Sequence, residues 1–224
     1  MTHNKNNHRS YIRSNSIVFR KTNERFGGLS NMAAGFPVNI NGISIRTVEA
    51  LYQACRYPNL PEIQARIIEE KSPMAAKMKG KPYRNQTRSD WDNVKVNIMR
   101  WCLRVKLVQN WDKFGELLVN TGTLPIVEES KRDDFWGAKP INDEDLVGVN
   151  ALGRLLMELR EEFKKFAPEI NYIVNSLSIP NFILYGEPII DLSRDEFSIN
   201  IIEQTKVENV QEPEQLNFFI NLKI

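Results

Sequence analysis

Four kinds of side chain in this sequence can act on a ligand: carboxylates, indoles, cations and amides. Glu49, Gln53 and Arg56 recur at i, i+4 and i+7, so a helix through them sets all three on one face. That face lies about 100° round from a stripe at Val48, Tyr52 and Cys55. It falls at the margin of a core, where a side chain is half-desolvated yet reaches a ligand. A plainer role for Glu49 is to complement the helix dipole from the first turn, and pattern alone favours it. The run Arg132-Asp133-Asp134-Phe135-Trp136-Gly137 sets two acids against two large aromatics. Those rings can desolvate a neighbouring carboxylate or stack on a base, and Gly137 lets backbone approach closely. A loop pinned by aromatic anchors is the equally good alternative. Trp91, Lys77, Arg84 and Arg88 add a stacking surface and cations. For each cation alone a solvated surface position is the better reading. Asn150 reads as the N-cap of a helix.

The chemistry is bounded by what is missing. His3 and His8 are the only histidines, and both lie in a polar, Asn-rich N-terminal stretch. The body therefore offers no imidazole base or metal ligand. Cys55 and Cys102 are isolated, which argues against a zinc site, a Cys–His dyad or a disulfide framework. Neither a phosphate-loop nor a dinucleotide glycine signature is present. No metal and no cofactor are expected. Carboxylates, indoles and cations without histidine suit cleavage at an anomeric carbon, where a carboxylate stabilises an oxocarbenium-like state. They equally suit plain nucleotide binding, with Trp on the base and Arg on the phosphate.

The 224 residues carry a net charge of +2, unevenly spread. Residues 167–224 hold nine acids and three bases, which leaves the first 166 residues at net +8. A basic body suits an anionic ligand or nucleic acid, although solubility alone accounts for it. No stretch has the roughly 18 apolar residues of a membrane span, and no secretory signal opens the chain. Free thiols point to a reducing, cytoplasmic setting.

The elements that must position these residues are mainly helical. Residues 1–15 read as a flexible arm and Ile17–Phe19 as a short strand. Asn41-Gly42 between Val38–Ile40 and Ile43–Ile45 is a hairpin signal, because both turn positions need positive φ. Thr47 caps a helix to about Arg56, Pro61 opens a second, and Ser72-Pro73 a third that Gly80 ends. Residues 81–88 read as a basic loop. A long helix runs from about Ser89 to Asn110, with Ser89 and Asp92 as a capping box. Another spans Lys113–Val119, a strand Leu124–Val127, and a last helix Asn150–Phe166, with residues 129–149 mostly loop. Beyond Pro168, β-branched and aromatic runs at 172–174, 182–185, 197–201 and 218–220 suggest a small β appendage. The expected fold is mainly α, a multihelical domain at 16–166 with a small antiparallel β element, followed by a β-rich extension at 167–224.

Short motifs in order, Ala76-Lys77 among them, then carry a family resemblance. Phe26-Gly27-Gly28-Leu29-Ser30-Asn31 is followed by Thr47-Val48-Glu49-Ala50-Leu51-Tyr52-Gln53-Ala54, then by Arg88-Ser89-Asp90-Trp91. Asp134-Phe135-Trp136-Gly137 and Asn150-Ala151-Leu152-Gly153-Arg154 close the set. Across residues 17–165 the chain resembles the NADAR (YbiA-like) family. The resemblance implies a pocket for ribosyl nucleotides and hydrolysis of an N-glycosidic bond. Its substrates would be ADP-ribose attached to a nucleobase, notably guanine in nucleic acid, or an early riboflavin-pathway ribosylamine phosphate. A non-catalytic ADP-ribose sensor is the third reading. Removal of ADP-ribose would reverse a toxic modification, the role of an antitoxin. A second copy of the chain or a toxin protein are partners to consider, and the residues single out neither.

Carried over residue by residue, the resemblance makes Glu49 and Asp134 carboxylates that stabilise the anomeric carbon or activate water. It makes Lys77 a nucleophile able to form a Schiff base. Asn31, Gln53, Arg88, Trp91, Trp136, Gly137 and Asn150 would hold the substrate.

Overall fold

The computed structural model describes residues 7–166 and 172–194. The runs at 197–201 and 218–220 lie outside them. The helices begin where local chemistry starts them. Thr47 Oγ1 accepts from the Ala50 amide at 3.4 Å and opens α1, Val48–Ala54. Pro61 opens α2, Pro61–Ile68. Ser72 accepts from the Ala75 amide at the start of α3, Pro73–Lys79. The long α4, Trp91–Gln109, runs directly into α5, Trp111–Val119, and α6 spans Ala151–Phe166. Helix α4 is central, packing on α1, α5 and α6.

The first turn of α4 departs from the expected capping box. Asp90 is the N-cap, and its side chain makes no capping bond. The Asp92 carboxylate instead accepts from Lys95 Nζ at 2.7 Å. Residues 81–86, expected as loop, wind into a 3-10 turn.

The fold is mixed α/β rather than mainly α, about 44% helix and 17% strand, with several small sheets. Strand β1, Arg9–Ile12, pairs antiparallel with β7, Asp145–Gly148, and β7 pairs with β6, Lys139–Pro140. One expectation fails here, the flexible arm over residues 9–12, while 129–149 is mostly loop as expected and carries only the short β6 and β7. The reason is that a single inward side chain secures β1. Tyr11 is buried against Val127, Ala138 and Leu146, while Arg9, Ser10 and Ile12 face water.

Strand β2, Ile17–Phe19, pairs in parallel with β5, Ile126–Glu128. The hairpin of β3, Val38–Ile40, and β4, Ile43–Ile45, turns on Asn41 and Gly42 at φ 51° and 81°. Beyond α6, β8 (Ile173–Val174) pairs with β11 (Leu192–Ser193), and β9 (Ile183–Leu184) with β10 (Glu187–Pro188). This segment joins the main core through Tyr172, Val174, Phe182 and Leu184, where Phe182 meets Trp101 edge-on at 4.8 Å.

Helix α6 lies hard against β5. A Cβ on Gly153 would stand 2.1 Å from the Ile126 carbonyl oxygen, so only glycine admits this approach.

Candidate active site

A cavity of about 1060 Å³ opens where α1, α3, the start of α4 and the loop after β5 converge. Helix α1 forms its base and is buried on every side. Glu49 and Gln53 are therefore more deeply enclosed than a helix margin would make them, 6% and 5% exposed. The Gln53 amide donates to Glu49 Oε1 at 3.0 Å. Burial pushes the Glu49 carboxyl above the usual range, opposed by Lys77, the Gln53 hydrogen bond and Arg56.

A second deep carboxylate, Glu128 at the end of β5, also lines the cavity. Burial, then the charges of Glu49 and Asp133, push it up to about 7, with Lys77 opposing. The two acids thus act on each other, and Lys77 acts on both.

The indoles gather round Tyr52. Its buried ring sits 5.1 Å from Trp91, tilted, and 5.7 Å from Trp136, edge-on. The Arg56 guanidinium lies 4.9 Å over Trp91, and Lys95 Nζ lies 4.8 Å over Phe135. The loop carrying Trp136 is fixed by Asp133, whose Oδ1 accepts from the Phe135 and Trp136 amides at 3.0 and 2.9 Å.

Asn31 enters from the turn after Gly27–Leu29, its backbone oxygen accepting from the Glu49 amide at 3.1 Å. That turn is held by Lys106, fully buried and donating to the Gly28 and Ser30 carbonyls at 2.6 and 3.0 Å. The rings of Phe36 and Phe114 face the same ammonium at 4.4 and 4.3 Å.

Seven of the ten residues singled out from sequence line this cavity: Glu49, Lys77, Asp134, Asn31, Gln53, Trp91 and Trp136. Asp134 stands at its rim, with its side chain 43% exposed and accepting from Lys139 at 2.9 Å. That contact holds the Asp134 carboxyl below the usual range. Lys77 is exposed on α3.

The other three sit elsewhere. Arg88 forks onto Asp90 at 2.6 and 2.9 Å and donates to the Pro180 carbonyl at 2.6 Å. Gly137 is a packing position, since a Cβ there would stand 2.4 Å from the Glu128 carbonyl oxygen. Asn150 is fully buried and is no N-cap of the ordinary kind, because its φ is 51°. Its Nδ2 donates to the Ile126 carbonyl at 2.8 Å, and its Oδ1 accepts from the Glu128 amide at 3.2 Å. Asn150 thus clamps the end of β5 that bears Glu128.

Glu128, Tyr52, Lys95 and Arg56 are cavity residues beyond the ten. Arg56 shares the Glu49–Gln53 face and was visible in that spacing. Lys95 lies one helical turn beyond Trp91, whereas nothing local marks Glu128.

The mouth is cationic. Lys77, Lys81, Arg84, Lys131 and Arg132 are exposed along it and carry no ion pair among the described residues. Met74 and Met78, one turn apart on α3, add exposed apolar surface, 55% and 44%. Among the described residues no cluster of His, Cys, Asp or Glu is set to hold a metal, and no helix is long and apolar enough to cross a membrane.

Comparison with known proteins gives this geometry a lineage. N-glycosidase YbiA of Escherichia coli (strain K12) is 34% identical over 146 residues, covering 65% of this chain and 87% of that protein. A riboflavin biosynthesis protein of Vibrio vulnificus (strain YJ016) is 30% identical over 185 residues, 80% of this chain. That match spans 48% of the Vibrio protein, about half its length. The NMR structure of E. coli YbiA superposes with a TM-score of 0.59 at 32% identity, covering 69% of this chain and 89% of that one. The model of the NADAR domain matches residues 18–164, from β2 almost to the end of α6. The chain belongs to the NADAR domain family.

Proposed function

We propose that this chain is an N-glycosidase that releases ADP-ribose from a modified nucleobase, guanine in nucleic acid, and so reverses ADP-ribosylation. The observation that carries this reading is one cavity with a buried acid, Glu49, a half-buried one, Glu128, two indoles inside and, at its mouth, five cations without an ion pair among the described residues. At about 1060 Å³ the cavity sits at the top of the ~300–1,000 Å³ range that encloses a small organic ligand. A ribose monophosphate would leave much of it empty, whereas ADP-ribose with its base would fill it. The cationic mouth suits the pyrophosphate and the strand attached to the base. N-glycosidases among the relatives support the bond type.

The chemistry follows from the two acids. Glu128, raised to about 7, holds a proton in a large share of molecules at neutral pH and delivers it to the leaving nitrogen as the bond from the anomeric carbon breaks. Glu49 faces the positive charge that develops on the sugar, a term of ~3–4 kcal/mol for one well-placed group. Water then adds to the anomeric carbon and returns a proton to a carboxylate. Lys77 offers a second route. Its amine, once deprotonated, attacks the anomeric carbon as the base leaves with a proton; the sugar ring then opens, its oxygen taking a proton, to give a Schiff base that water hydrolyses. Asp134, exposed and paired at the rim, belongs to the mouth in this reading.

The riboflavin-pathway ribosylamine phosphate is the second reading, favoured by the names of the Vibrio relative and of a chloroplastic protein of Zea mays that is 33% identical over 171 residues. Incubation with an ADP-ribosylated guanine oligonucleotide, and separately with the small ribosylamine, decides. Free ADP-ribose from the oligonucleotide supports the first reading, and release from the small substrate alone supports the second. Binding without release makes the chain a sensor. Borohydride trapping of a protein–sugar adduct identifies the Lys77 route, and its absence during turnover excludes it.

A further inference from the structure

Two polar atoms in the cavity wall are buried without a hydrogen-bond partner, and they ask for opposite things. Asn31 is 5% exposed; its Nδ2 donates to Met99 Sδ at 2.8 Å, but its Oδ1 accepts nothing. The Arg56 Nε likewise donates to nothing. The remaining Arg56 contacts are at the limit of hydrogen bonding, Nη1 to Gln53 Oε1 at 3.4 Å and Nη2 to Thr87 Oγ1 at 3.5 Å. Arg56 has no carboxylate partner among the described residues. A buried donor and acceptor left unmade cost free energy, and native structures keep such groups where a ligand completes them.

Both side chains are held still. Arg56 sits 4.9 Å over the Trp91 ring, and the Asn31 turn is tied down by Lys106. Arg56 calls for an anionic acceptor, and Asn31 Oδ1 calls for a hydroxyl or amine donor. A sugar phosphate supplies both.

We propose that Asn31 and Arg56 form a two-point clamp for the ribose 5-phosphate portion of the substrate. Arg56 donates to a phosphate oxygen, and Asn31 Oδ1 accepts from a ribose hydroxyl. The clamp deepens the hydrolase reading and rests on it for the identity of the substrate. It grips the portion common to both candidate substrates, which leaves the mouth to distinguish them.

Equilibrium binding of ribose 5-phosphate, ribose and inorganic phosphate to the full chain tests the clamp without requiring turnover. Arg56→Gln is expected to weaken ribose 5-phosphate at least ~10-fold and to erase its advantage over ribose. Asn31→Ala is expected to weaken ribose 5-phosphate by a similar factor while leaving inorganic phosphate unchanged. Thermal unfolding checks that each variant folds. If Arg56→Gln does not, Arg56→Lys takes its place, keeping charge but losing the fork, and is expected to bind at intermediate strength. Variants that bind ribose 5-phosphate within twofold of the unsubstituted chain overturn the clamp. An unsubstituted chain that shows this binding pattern yet cleaves neither substrate keeps the clamp and overturns the hydrolase reading. Cleavage with unaffected variants does the reverse.

Discussion

Gln53 donates to Glu49 across one turn of α1, at 3.0 Å, and both side chains are buried beneath the cavity. The amide fixes which carboxylate oxygen is engaged. Glu49→Gln keeps shape and removes charge. Turnover is expected to fall ~10²-fold or more. The thermal midpoint should hold or rise, because an ionised carboxylate no longer has to be kept out of water. Near-normal turnover would return Glu49 to the plainer role of complementing the helix dipole.

Glu128 links stability to pH. Its carboxyl binds a proton more tightly in the fold, at about 7, than in the open chain near 4.5. Its favourable contribution is therefore complete below 4.5 and is lost as pH rises through about 7. The loss is on the order of 3 kcal/mol. Urea unfolding at pH 5 and pH 8 should show it, and Glu128→Gln should remove that part of the difference. The rate of cleavage should fall above pH 7 in the unsubstituted chain if Glu128 delivers the proton. A flat profile there would assign proton delivery to another group.

The side chain of Asn150 meets the cavity's acid only through the β5 backbone. Asn150→Ala leaves the Ile126 carbonyl without its donor and puts alanine at φ 51°. A stability loss of ~1–3 kcal/mol is expected from the unmade bond. Turnover should drop while KM stays, since Glu128 shifts and the mouth does not. A raised KM with unchanged kcat would place Asn150 against the substrate instead.

Asp134 and the mouth cations should behave as solvent-exposed charges. Asp134→Asn is expected to change kcat/KM by no more than about fivefold, the scale of a screened surface pair. A hundredfold loss would move the chemistry to the rim.

Lys131→Ala with Arg132→Ala should raise KM for an oligonucleotide substrate and flatten its dependence on salt. The same pair should leave the small ribosylamine unaffected. Equal effects on both substrates would remove the polymer from the mouth.

What could be read ahead of the structure was what short stretches of chain decide. Thr47, Pro61 and Ser72 start their helices where spacing put them, and Asn41-Gly42 turns its hairpin. Seven of the ten singled-out residues share one hollow because the motifs that carry them sit on α1, α3, α4, the turn at Asn31 and the loop after β5. Long-range pairing was hidden. β1 shows one buried residue in four, too little alternation to announce a strand, and its partner lies more than 130 residues on. The Glu128 burial depends on β2, α6 and Asn150, none of them near it in sequence. Asn150 stands directly before α6, where a cap belongs, but its side chain is spent on β5 through hydrogen bonds that reach back 22 and 24 residues, which no local pattern announces. Helix count set the expected fold class, and paired strands of two to four residues overturned it.

The close seat of α6 on β5 has one more meaning. With no side chain between Gly153 and the Ile126 oxygen, the floor beneath Glu128 is backbone on backbone. Rotamer changes elsewhere in the interior cannot lift or lower it. The depth of the acid is thus set by main chain, whereas the cations of the entrance are carried by exposed, flexible side chains.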